Sequence, residues 1–287
     1  MNKKEIKKKY KKKISLLIDC NKFYYDKSKP LITDKEYDDL KNSILILESK
    51  YSFLSSDSSP SKIVGFKPSK NFQKISHRVP MLSLANAFGK EDLINFEKRI
   101  LNFLSKNIDF NLFYSVEPKI DGISASLIYK NGVFKTGLSR GDGKEGEDIT
   151  ANLSTIKEIQ KRIELKDFPE EIEIRGEVFI QNSDFENLKE KFANPRNAAS
   201  GSLRQKNPDD TKKIPLKFIA YTFGYEKGLK IKTQTDFLKK LKDWGFKTNP
   251  LNKLITGVDN LLINYSKIEK DRTKIDFDID GIVYKIN

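Results

Sequence analysis

The sequence predicts an α+β protein, a small helical module followed by a domain of antiparallel sheets with flanking helices. Three observations lead there. Apolar residues recur at helical spacing near the N-terminus, a stretch rich in Ser, Pro, Gly and Lys follows, and Asn131-Gly132 then separates two strand-like runs. A chain of 287 residues has room for roughly two domains with real cores.

Each element has its own signal. Residues 4–28 read as a helix, because Ile6, Tyr10, Ile14, Leu17 and Ile18 lie near its period. A second helix starts at Thr33, where Thr33 and Glu36 fit a capping box, and runs to about Lys50. Residues 55–70 read as a linker, which separates a module over 1–68 from a domain over 69–287. Residues 123–129 and 133–138 flank Asn131-Gly132 as a hairpin. A strand is expected over 171–180, a helix over 183–192 and a buried strand over 217–225. A helix over 233–244, closed by Gly245, and a last strand over 280–287 complete the pattern. Trp244 and the Phe-rich strands read as core, and Cys20 as a small buried side chain. No internal repeat and no regular βαβ series is visible.

Composition narrows the partners. Lys and Arg number 54 against 40 Asp and Glu, a formal charge of +14 that favours polyanions, nucleic acid first. No apolar run approaches the roughly 20 residues that span a bilayer. The lysine-rich start leads into a helix rather than a signal-peptide core, so no membrane partner and a cytoplasmic location are expected. With one cysteine and one histidine, Cys20 and His77, neither an intrachain disulfide nor a cysteine or histidine metal cluster is expected.

The chemistry centres on Lys119-Ile120-Asp121-Gly122. In an extended strand Lys119 and Asp121 project the same way, and Gly122 admits a ligand or turn close to the backbone. A lysine amine becomes a nucleophile when burial or neighbouring cations lower its pKa. Four further segments accompany it. Residues 139–148 put Arg140 in a glycine-rich turn suited to closing over a phosphate or ribose. Residues 174–179 place Glu177 in an apolar strand, where a carboxylate must be paired, bind a ribose hydroxyl or help hold a metal. Residues 192–205 form a small-residue segment presenting Arg196 and Arg204. Residues 278–285 bring Asp280 and Lys285 toward one pocket.

Taken with His77-Arg78-Val79-Pro80-Met81-Leu82-Ser83-Leu84, these motifs closely resemble the NAD-dependent DNA ligases of bacteria, in that family's order and over essentially the whole chain. The resemblance implies a nucleotidyltransferase domain of the ligase type, related to ATP-grasp folds. It implies that Lys119 attacks the α-phosphate of NAD+, forms a lysyl-AMP phosphoramide and expels nicotinamide mononucleotide. Lys285, Arg140 and Mg²⁺ (or Mn²⁺) would offset charge on the non-bridging oxygens. Ser83, Leu84 and Glu117 would line the adenine pocket, and Glu177 would bind the ribose. Asp121 and Asp280 match carboxylates near the reacting phosphates and metal.

Asp34-Lys35-Glu36-Tyr37-Asp38, with Tyr24 and Tyr25, matches the family's nicotinamide-mononucleotide-binding set. Asp34, Tyr37 and Asp38 share one helix face. Many relatives carry histidine where Tyr25 stands; stacking on the nicotinamide ring survives that change. Arg196, Arg204 and Arg272 match arginines placed near nicked double-stranded DNA or the reacting phosphates.

In the family the chain continues past the position of Asn287 into a further lysine motif, an oligonucleotide-binding barrel, a four-cysteine zinc module, helix-hairpin-helix elements and usually a BRCT domain. The expectation is therefore an N-terminal segment or a truncated gene product, monomeric, that binds NAD, self-adenylates weakly and seals nicks negligibly by itself. Two other readings stay open: an ATP-dependent ligase or capping nucleotidyltransferase, and a non-catalytic module that grips nucleic acid.

Overall fold

A computed structural model describes residues 3–27, 31–54, 59, 72–107 and 110–287; at positions 22, 24–27, 34, 35 and 38 it describes the backbone only. The expected linker over 55–70 lies outside the described residues except for Ser59. Elements run α1 (Lys3–Lys27), α2 (Asp34–Lys50), β1 (Lys74–Ser76), α3 (Lys90–Phe103), β2 (Phe113–Ile120), β3 (Ile123–Lys130), β4 (Val133–Ser139), β5 (Glu145–Glu147), α4 (Thr150–Leu153), β6 (Glu171–Phe179), α5 (Asn182–Phe185), α6 (Pro195–Leu203), α7 (Pro208–Lys212), β7 (Lys217–Lys227), α8 (Gln234–Asp243), β8 (Lys253–Thr256), α9 (Val258–Asp271) and β9 (Ile279–Ile286). The α+β class holds, and every strand pair is antiparallel.

The chain divides into two compact units, one of Met1–Leu82 with Arg140–Glu147, the other of Ser83–Ser139 with Asp148–Asn287. In the first, α1 and α2 pack through Leu17, Leu40 and Ile44, with Tyr10, Ile14 and Tyr37 against them. The Thr33 capping box forms: Glu36 N–H reaches Thr33 Oγ1 at 3.3 Å, and Thr33 N–H reaches Glu36 Oε2 at 2.8 Å. Tyr10 Oη donates to Glu48 Oε1 at 2.6 Å and Ser59 Oγ to the same oxygen at 2.5 Å, which satisfies a buried carboxylate. β1 pairs with β5, and His77 N–H bonds the Lys144 carbonyl at 2.8 Å.

The second unit holds two sheets, β8-β2-β9 and β4-β3-β6-β7. Strand alternation gives each one apolar and one polar face. On the first sheet Tyr114 and Val116 turn toward a core with Leu93 and Leu101 of α3 and Val258 and Leu261 of α9. On the second, Leu127, Tyr129, Ile172, Ile174 and Phe218 are buried, and α8 adds Phe237 and Leu241. Trp244 is part of that core, edge-on to Phe168 at 4.8 Å. The β3–β4 hairpin turns at Asn131 and Gly132, both with positive φ (48° and 73°), the two left-handed residues a type I′ turn requires.

One expected element is absent. Residues 183–192 form a single turn, α5, and a 3-10 turn rather than a continuous helix. Only Phe185 of this stretch is buried, so little packing holds further turns in place.

Burial pushes the phenol of Tyr129 above the usual tyrosine range, and burial with the nearby Glu97 carboxylate does the same for Tyr114. The folded state keeps these protons where the unfolded chain loses them. Their contribution to stability is therefore complete below about pH 10 and declines above it. Unfolding free energies measured from about pH 9 to about pH 11 should fall, less steeply in Tyr129→Phe than in the wild type. An equal slope in both would contradict this.

Candidate active site

β2 carries Ser115, Glu117 and Lys119 on its polar face, and Asn249 steadies the strand's end by donating to the Pro118 carbonyl at 3.2 Å. Opposite, β9 pairs Lys119 with Gly281 but Ile120 with Ile279, so Asp280 is the extra residue of a bulge. Bulges re-aim side chains. Here the result is that Lys119 Nζ donates to Asp280 Oδ2 in a half-exposed ion pair. Lys119 is thus not buried, and the group in contact with its amine is a carboxylate.

The strand ends at Ile120, so its alternation no longer governs Asp121. Asp121 N–H bonds the Asp278 carbonyl at 2.9 Å, and its carboxylate accepts from Arg196 Nη1 at 2.6 Å. Arg196 is presented by the first turn of α6, whose Asn194 cap accepts from Asn197 N–H at 2.7 Å. Gly122 then passes directly over β6: a Cβ there would run into the Val178 carbonyl and lie 2.8 Å from Glu177 Cγ.

Glu117 is buried and fully engaged. Its Oε2 accepts from Lys285 Nζ at 2.8 Å, and its Oε1 from Ser115 Oγ and Gln234 Nε2, each at 2.9 Å. Lys285 also donates to the Tyr221 carbonyl at 2.9 Å and lies 5.3 Å from the centre of that residue's ring. Burial pushes the Lys285 ammonium below the usual lysine range, and the Glu117 carboxylate pulls it back up. Gln234 also donates to the Tyr221 carbonyl, at 2.7 Å, tying β2 of one sheet to β7 of the other.

The second sheet adds a polar row. Glu177 accepts from Ser124 Oγ at 3.0 Å. Four residues back, buried Glu173 accepts from Arg175 Nε at 2.8 Å and Ser126 Oγ at 2.7 Å. β6 is thus not an apolar strand interrupted by Glu177. Its charges alternate at 171, 173, 175 and 177, a period-two signal legible in the sequence but missed there. Gln234 was also missed, and nothing in its local sequence marks it.

Lys119, Asp121, Asp280, Arg196, Glu117, Lys285 and Glu177 therefore all lie on this unit's sheets or beside them. Ser83 and Leu84, in the same unit, are exposed and without regular structure. Arg204 and Arg272 are exposed at the C-terminal ends of α6 and α9. Arg140 belongs to the other unit, where its carbonyl meets His77 Nε2 at 3.1 Å. In the helical module Tyr37 Oη donates to Asn21 Oδ1 at 2.7 Å. Glu36 is taken by its cap, whose Thr33 hydrogen bonds hold its carboxyl below the usual range. The side chains of Tyr24, Tyr25, Asp34, Lys35 and Asp38 lie outside the described residues.

Removing one partner of a buried ion pair leaves an uncompensated charge, so Glu117→Gln should lower stability by about 3 kcal/mol. The exposed Lys119–Asp280 pair predicts less than about 1 kcal/mol for Asp280→Asn. Urea unfolding of both variants checks the contrast, and equal losses would contradict it.

Comparison with known proteins gives this geometry a family. The model of the NAD-dependent DNA ligase adenylation domain matches residues 69–287, and that of the DNA ligase-like, N-terminal NAD+-binding domain matches residues 3–65. A DNA ligase of Pelagibacter ubique is 64% identical over 287 residues, 100% of this chain and 42% of the relative. A DNA ligase of Rickettsia massiliae is 46% identical over 275 residues, 93% of this chain and 39% of the relative. The chain thus spans about two fifths of the length of these curated relatives. A solved mycobacterial DNA ligase D complexed with ATP and MES shares 17% identity at a TM-score of 0.37, covering 61% of this chain and 48% of that one, too slight a likeness to carry an argument. Matched over most of its length by the adenylation-domain model, the chain belongs to the NAD-dependent DNA ligase family.

Proposed function

We propose that this chain is the NAD-binding and adenylating part of a DNA ligase, with a nicotinamide-mononucleotide-binding module over 1–68 and the adenylation domain over 69–287. The observation that carries the reading is Lys119 Nζ at the end of β2, held by the carboxylate of Asp280 from the bulge of β9. In the proposed step Nζ attacks the α-phosphorus of NAD, the new bond is N–P, and the P–O bond to nicotinamide mononucleotide breaks with the electron pair leaving on that fragment. The ammonium must first lose a proton; Asp280 Oδ2, already its acceptor, is placed to take it. AMP would then pass to the 5′-phosphate of nicked DNA, and the 3′-hydroxyl would displace it to close the backbone.

The neighbouring side chains have matching tasks. Arg196, braced by Asp121, supplies positive charge beside the turn that follows the nucleophile. Lys285 supplies a second charge from its seat on Glu117. Glu177 offers a carboxylate to ribose hydroxyls, and Tyr37 with the adjacent acids serves the nicotinamide end. Among the described residues no three His, Cys, Asp or Glu side chains gather as a metal cage. Mg²⁺ takes one or two carboxylates plus substrate phosphates. Asp280 and Asp121 would be its protein donors, and the ion would offset charge on the phosphate oxygens. Arg204 and Arg272 would face DNA. The setting proposed is DNA replication and repair in the cytoplasm, as a monomer.

Incubation with adenine-labelled NAD and Mg²⁺, followed by denaturing electrophoresis, tests the reading. Wild type should retain label and Lys119→Ala should lose it, and nicotinamide mononucleotide rather than pyrophosphate should strip it. Equal labelling of both proteins would refute the assignment, and labelling from ATP in preference to NAD would point to the other nucleotidyltransferases.

A further inference from the structure

The first half of α1 is the most concentrated charge in the molecule, and nothing in the chemistry above uses it. Residues 3–13 contain Lys3, Lys4, Lys7, Lys8, Lys9, Lys11, Lys12 and Lys13 against one acid, Glu5. At about 100° per residue, Lys4, Lys8, Lys11 and Lys12 form one stripe along the helix. Ile6, Tyr10, Ile14 and Leu17 form a separate apolar stripe. Leu17 is fully buried, with Tyr10 and Ile14 packed against the same cluster on α2, which fixes the lysine side outward. Lys3 and Lys7 lie over the Phe53 ring at 4.8 and 5.9 Å, and Lys13 Nζ donates to Ser43 Oγ at 2.6 Å. Lys4, Lys8, Lys11 and Lys12 are exposed, and among the described residues no carboxylate pairs with them.

We propose that this stripe is a second nucleic-acid contact, gripping the phosphate backbone of duplex DNA without reading its sequence. The proposal rests on the reading that DNA is the substrate; it adds a place on the chain, distinct from the arginines of the adenylation domain. The chemistry is a matter of charge and spacing. Lysines recur every helical turn, about 5.4 Å apart. Duplex DNA presents one negative charge per about 1.7 Å of axis with both strands counted, so a lysine stripe of this density finds phosphates without a base-specific register. Flexible ammonium groups bind phosphate as point charges and suit a contact of this kind. A membrane surface fits less well, because the apolar stripe that would enter lipid is packed on α2.

The test uses the full chain with Lys4→Gln, Lys8→Gln, Lys11→Gln and Lys12→Gln combined; glutamine keeps helix propensity close to that of lysine. Binding to a labelled nicked duplex is measured by anisotropy across a salt series. The slope of log K against log salt should shrink by roughly 3, since each phosphate contact contributes about 0.9, and affinity at low salt should fall at least about tenfold. Label transfer from NAD to Lys119 should be unchanged, which separates failure of the stripe from failure of the adenylation reading. A control with Lys157, Lys161, Lys166 and Lys230 changed to Gln should keep most of the slope. The proposal is overturned if the α1 variant binds like wild type, if the control loses as much, or if wild type binds phosphatidylserine vesicles more tightly than DNA. Helical circular dichroism of every variant should match wild type.

Discussion

β2 ends in one sheet and β3 begins in the other, and the two residues between them must redirect the chain while leaving Lys119 aimed outward. Gly122 is the constraint that makes this possible. Its Cα passes so close to the Val178 carbonyl and the Glu177 side chain that no Cβ fits. With that crossing made, Lys119 stays on the polar face of the first sheet, and Asp121 is left free to turn toward Arg196. The bulge at Asp280 then brings a carboxylate to the amine from the neighbouring strand.

Two lysine–carboxylate pairs stand on this face, and their surroundings give them different parts. Lys119–Asp280 is half-exposed. A pair of that kind contributes about 0–1 kcal/mol, so an arriving phosphate can displace it. Glu117 is buried beneath Lys285 and held by Ser115 and Gln234 as well. Separating such a pair strands a charge away from water and costs several times as much, about 3–5 kcal/mol. One pair can open during a reaction while the other stays closed as its frame. The Tyr221 carbonyl, bonded by both Lys285 and Gln234, carries that frame across to the second sheet.

Legibility in the sequence followed the range of the interactions. The Thr33 capping box, the Asn131-Gly132 turn and the Thr233-capped helix are set within a few residues of one another, and each stands where the pattern puts it. The helix over 183–192 failed because its apolar spacing has too little to pack against. Helices α3 and α9 went unread, although each buries a narrow leucine stripe into the core beneath β2. At the site, the motif residues were legible as types. Their pairings, such as Arg196 with Asp121 across 75 positions or Lys285 with Glu117 across 168, depend on which strands lie side by side. A one-residue bulge at Asp280 leaves no mark in a period-two pattern. The pairing of Lys119 with Asp280 was illegible for the same reason, since the two lie 161 positions apart.

Peptide mapping by tandem mass spectrometry of the protein after reaction with NAD bears most directly on the central claim, that the geometry at the end of β2 selects one amine among many lysines. The account predicts adenylate on Lys119 alone, including in the presence of the better-sheltered Lys285. Adenylate on Lys285, or spread over surface lysines, would contradict it.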